Sequence, residues 1–116
     1  MAVEVIDAYT QPTSTTWTSA TSVNSTQAWS TAGYDTAVVT IVPTNISAGA
    51  VVFELFDGVN WISVKAARTD SYATDSTFTI TSISATHSWQ IPAAGYPQFR
   101  VRLSTALTGA GSLVVT

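Results

Sequence analysis

The sequence has no cysteine, one histidine, and only 9% charged residues. Without cysteine there is no disulfide framework and no thiolate metal site, and the redox compartment cannot be read from cysteine usage. Four basic residues, Lys65, Arg68, Arg100 and Arg102, against seven acidic ones give a net charge of −3. That is too little positive charge to track a phosphate backbone, so nucleic-acid binding is not expected. No apolar run approaches the length that spans a bilayer, so no membrane role is expected either. The opening residues lack a charged segment leading into an apolar one, and the expectation is a small protein made in a cytoplasm.

What replaces charge is Thr and Ser. Thr is β-branched and fits a pleated surface, and both hydroxyls wet that surface without charge. Hydrophobic residues still make up 46% of 116 residues, enough for one folded domain around one core.

The stretch 49–66, GAVVFELFDGVNWISVKA, organises the rest. Val51, Phe53 and Leu55 share one parity; Val52, Glu54 and Phe56 share the other. Alternate side chains of a strand face opposite ways, so this is a strand with one strongly apolar face. Asp57-Gly58 between two β-type runs predicts a hairpin turn. The segment 98–104, QFRVRLS, alternates most sharply: Phe99, Val101 and Leu103 inward, Arg100 and Arg102 outward. TAVVTIV at 36–42 and TFTITSI at 77–83 read as strands, as do 87–91 and 112–116. The polar stretch 67–76 reads as the longest loop, and 13–26 as a solvent-facing edge strand or meander.

Eight to nine short strands with no 3.6-residue apolar period predict an all-β fold, an antiparallel β-sandwich of jelly-roll or immunoglobulin-like type. Residues 1–12 read as an N-terminal arm or edge strand that could reach a neighbour, and 13–116 as a single sandwich domain. The expected core is Val51, Phe53, Leu55, Trp61, Phe78, Ile80, Phe99, Val101 and Leu103.

Chemistry finds little support. His87 sits in a strand context with no cysteine nucleophile to serve, and reads as structural or surface. Ser-His-Asp sets can be drawn anywhere in a Ser-rich chain and carry no weight. No two carboxylates are marked as converging for glycoside hydrolysis. Asp57 with Asn60, or Asp70 with Asp75, would supply oxygen ligands for calcium, but Asp57 and Asn60 are better read as shaping the turn. No catalytic residue, metal or cofactor is therefore expected. Trp17, Trp29, Tyr72 and Tyr96 lie in polar or turn contexts. They are candidates for stacking on a sugar, weighed against core or intersubunit packing. Arg100 and Arg102 are candidates for pairing with a carboxylate on a partner subunit or on the shell protein, weighed against being solvated.

Val52-Phe53-Glu54 leading to Asp57-Gly58-Val59-Asn60-Trp61, then Ala93-Ala94-Gly95-Tyr96-Pro97, Phe99-Arg100-Val101-Arg102-Leu103 and the turn Thr108-Gly109-Ala110-Gly111 resemble a group of small β-sandwich proteins and domains from tailed-bacteriophage virions. The likeness covers roughly 36–116. Leu55 departs from it, standing where a small polar residue is usual, which implies a more apolar and more buried outer face. The resemblance implies a structural role in the virion and brings no catalytic residues. On it rests the expectation of a capsid decoration (cement) protein, not an enzyme, that associates with itself and binds the major capsid protein. A tail or baseplate accessory, or a carbohydrate-binding module recognising a glycan, is the alternative. A symmetric homo-oligomer is expected, a trimer ahead of a dimer because many virion surface positions are threefold.

Overall fold

The structure, a computed structural model, describes residues 13–116; the arm read at 1–12 lies outside them. Every regular element among the described residues is a strand: β1 Thr15–Trp17, β2 Thr26–Ser30, β3 Thr36–Thr44, β4 Ala48–Phe56, β5 Trp61–Ser63, β6 Ala66–Arg68, β7 Thr74–Asp75, β8 Thr77–Thr81, β9 His87–Pro92, β10 Gln98–Thr108 and β11 Ser112–Val115. Eleven strands replace the eight or nine expected. The surplus comes from two- and three-residue strands, too short to show alternation. β6 and β7 form a hairpin inside the stretch read as the longest loop.

The strands form two sheets, and every pairing is antiparallel. The first runs β1-β11-β3-β9-β6-β7, and the second β2-β10-β4-β5, with β8 also on β4. The two inner faces meet in one hydrophobic core, which is the antiparallel sandwich the alternation predicted.

The β4–β10 pairing sets the second sheet. Phe99 lies opposite Leu55, Val101 opposite Phe53 and Leu103 opposite Val51. All six are buried. The same register puts Arg100 opposite Glu54 on the outer face. Across the core, the Trp89 ring of β9 meets Phe53 and Phe78 with centroids 5.1 and 4.9 Å apart. Eight of the nine expected core residues are buried. Trp61 is not. It pairs with Phe56 in register, and Phe56 has outward parity, so Trp61 follows it to the outer face. Trp17, weighed for sugar stacking against core packing, is only 4% exposed and belongs to the core. It lies opposite Leu113, an inward residue of β11.

The turn after β4 forms as its residues dictate. Asp57 Oδ1 accepts the backbone N–H of Val59 at 2.8 Å and of Asn60 at 2.6 Å. Gly58 takes φ +102°, a conformation costly for residues with a Cβ. Those two bonds, Asn60 first, hold the Asp57 carboxyl below its ordinary range.

Candidate functional site

Two clusters of charge stand out. The first lies on the outer face of the second sheet, where β4, β5 and β10 run side by side. Glu54 projects between two arginines of β10. Its Oε1 accepts from Arg100 Nε at 2.8 Å and from Arg102 Nε at 3.1 Å. Arg102 Nη1 donates to Asn24 Oδ1 at 2.8 Å. Arg100 lies over the Trp61 ring, its guanidinium carbon 4.1 Å from the centroid, within range of a cation–π contact. Trp61 packs in turn on Phe56 at 5.0 Å. Burial pushes the Glu54 carboxyl up, but the bonds and charges of Arg102 and Arg100 outweigh it, and its pKa is lowered. One carboxylate between two guanidiniums leaves the cluster with one net positive charge.

Arg100 and Arg102, candidates for a carboxylate of another subunit or of the shell, share one within the chain. The sequence carried a partial signal for this. Glu54 and both arginines have outward parity on their strands, and only the adjacency of β4 and β10 was needed to bring them together. That adjacency joins residues 46 and 48 apart in the chain, which no local pattern reveals.

The second cluster closes the far end of the first sheet. Arg68 on β6 donates through Nε to Asp75 Oδ2 on β7 at 2.6 Å, and Trp89 Nε1 donates to the same oxygen at 2.8 Å. Burial raises the Asp75 pKa, yet the bonds from Arg68 and Trp89 and the nearby positive charge lower it overall. His87 Nδ1 lies 2.9 Å from Asp70 Oδ2, with its ring edge-on to Phe78 and Trp89. These contacts tie the β6–β7 hairpin to β9. Asp70 and Asp75, weighed as joint calcium ligands, thus each have a different cationic or imidazole partner. Among the described residues no group of three or more His, Asp or Glu is gathered to hold a metal.

The four aromatic candidates do not converge; among the described residues none of these rings pairs with another of the four. Trp17 is core, which removes it as a stacking platform. Trp29 stacks on Phe99, centroids 5.7 Å apart and planes 13° apart, and its Nε1 donates to Thr13 O at 3.3 Å. Tyr96 packs half-buried against the core, beside an open cleft lined by Thr31, Gly33, Gly95 and Pro97. Tyr72 alone is fully exposed, in the β6–β7 loop.

The geometry defines an all-β, two-sheet antiparallel sandwich with charge clusters paired within the chain. No protein-family model matches the chain, and no curated protein does. Among solved structures it is similar to the crystal structure of SPBc2 prophage-derived protein YomS, with a TM-score of 0.64 at 14% identity, over 92% of this chain and 94% of that one. At that identity the likeness is one of fold.

Proposed function

We propose that the chain is a structural protein of a bacteriophage particle, specifically a capsid decoration protein that acts by self-association and by binding the shell rather than by catalysis. The observation that carries this reading is the fold shared with a prophage-derived protein over nearly the whole of both chains. The resemblance of the Asp57–Trp61 and Phe99–Leu103 segments to virion sandwiches points the same way. The polar groups that chemistry would draw on also have structural duties: Asp57 holds a turn, Asp75 joins two strands to Trp89, and Asp70 engages His87.

The test is quantitative mass spectrometry of purified particles from the phage or prophage that encodes the chain, with binding of the purified protein to emptied heads. A decoration protein is present at a copy number comparable with the major shell protein and binds emptied heads. A copy number that is a small fraction of the shell protein's, with binding to a bacterial surface polysaccharide, replaces decoration with a tail-associated role. Absence from the particle overturns the structural reading altogether.

A further inference from the structure

The three arginines are not equally engaged. Arg68 gives Nε and Nη2 to the two oxygens of Asp75. Arg102 uses all three of its nitrogens: Nε donates to Glu54, Nη1 donates to Asn24, and Nη2 reaches Glu54 Oε2 at 3.5 Å. Arg100 gives only Nε, to Glu54. Among the described residues no buried side-chain nitrogen or oxygen lacks a partner. The two Nη groups of Arg100, which find no acceptor there, therefore reach solvent. On β10, Arg100 lies between Glu54 of β4 and Ala28 of β2. Ala28 is exposed and carries only a methyl, so the β2 side puts no bulk over the guanidinium.

We infer that the free Nη fork of Arg100 is the docking point for a carboxylate side chain of a partner protein, on the outer face of the second sheet. Its shape and charge select the occupant. The two Nη groups of a guanidinium match the two oxygens of a carboxylate. Glu54 holds Nε and Trp61 lies beneath the guanidinium, so this fork is ordered before anything binds and less freedom is lost on docking. Two guanidiniums against one carboxylate leave one positive charge, and because Arg102 is fully engaged, that charge is unanswered at Arg100. One charge suits a carboxylate, whereas a phosphate group near −2 would stay half neutralised. The Trp61 ring is already covered by Arg100 and Phe56, so a sugar ring finds no bare platform here, and a protein side chain needs none. Half-buried Trp61 and Phe56 flank the fork, and an arginine beside a tryptophan is the composition of binding hot spots. The chain as a whole is negative, so its attraction for an acidic surface is confined to this patch, which fixes the partner's orientation. The inference deepens the proposed function by naming the chemistry of the partner surface, and rests on it only in taking the shell as that partner.

Nitrogen-15 NMR of the full chain tests it, since the arginine Nε–H region holds one signal for each of the three arginines. Titration with a tetraglutamate peptide should shift the Arg100 signal saturably and leave that of Arg68 in place, while tetraglutamine shifts none. Arg100→Lys, checked for folding by circular dichroism, identifies the signal and should weaken peptide binding about tenfold or more. No shift with tetraglutamate overturns the inference, as do equal shifts at all three arginines or a shift with tetraglutamine. A shift with trigalacturonate and none with tetraglutamate overturns the protein partner and gives the fork to an acidic glycan. Binding to emptied heads separates the two readings, with Lys65→Gln removing an equal charge at an exposed residue as the control. Head binding weakened about tenfold or more by Arg100→Gln and not by Lys65→Gln upholds both. Tetraglutamate binding at Arg100 without head binding upholds the fork and sinks decoration. Heads bound equally well by Arg100→Gln overturn the inference and leave decoration standing.

Discussion

Arg100 lies over Trp61, its guanidinium carbon 4.1 Å from the ring centroid. The contact explains how a tryptophan adjoining the main hairpin turn stays outside the core: its ring is covered by Arg100 and Phe56. Trp61→Ala should accordingly cost about 1 kcal/mol, the scale of a surface cation–π contact with some packing. Phe99→Ala, at a site 1% exposed, should cost about 3–5 kcal/mol, and Trp17→Ala a similar amount. Urea unfolding of the three variants checks the order. Equal losses at Trp61 and Phe99 would return Trp61 to the core.

Glu54→Gln tests the shared carboxylate. The substitution keeps the shape but leaves two half-buried guanidiniums without an anion between them. The expected loss is about 1–3 kcal/mol, below the figure for a fully buried pair because both arginines keep some solvent. A neutral result would mean that water satisfies both.

Acid should destabilise the protein in a defined window. Folded Glu54 and Asp75 both titrate below their ordinary values of 4.5 and 3.8, so the unfolded chain takes up their protons first. Their contribution is fully present above the unfolded pKa values. It falls as pH drops past 4.5 and then 3.8, and is lost once the folded carboxyls protonate. Each group adds at most about 1.4 kcal/mol per pH unit. Unfolding free energies measured from pH 6 downward should fall on acidification, and Glu54→Gln should flatten part of the fall. A rise in stability on acidification would contradict the sign.

Gly111 should be the least replaceable glycine in the final hairpin. A Cβ there would overlap the carbonyl oxygen of Thr44, and that backbone cannot rotate away as a side chain could. Gly33 has open space around it and only its φ of +85° to object. Thermal unfolding should show Gly33→Ala costing roughly 1 kcal/mol and Gly111→Ala clearly more, in the range of overpacked sites.

Much of the sandwich was legible because its strands are one-sided. The parity of Val51, Phe53 and Leu55, and of Phe99, Val101 and Leu103, survives intact in the structure. Legibility failed where a residue's side depends on a partner distant in sequence. Trp17 sits among Thr and Ser, which leaves stacking and core packing both open; its place opposite Leu113 settles it in the core. Trp61 reads as core because it follows the hairpin turn, yet its place opposite Phe56 puts it half-buried on the outer face. β6 and β7 were hidden because a two-residue strand has no period. The charge clusters were illegible for the same reason as Trp17: the residues were visible and their adjacency was not.

The pairing of Thr15 with Val115 has a consequence for how the protein is made. β11 is an interior strand, lying between β1 and β3, and its residues are added to the chain after those of every other strand described. Until Ser112–Val115 has cleared the ribosome, β1 has no neighbour in its sheet among the described residues, and Trp17 lacks Leu113 to lie opposite. The first sheet therefore cannot be assembled progressively from its N-terminal strand during translation. It waits with an open edge, and closing it requires a contact spanning nearly the whole described chain, the kind of long-range pairing that slows β-sandwich folding. Synthesis rate and chaperone access over that interval, more than final stability, should govern the yield of assembled protein.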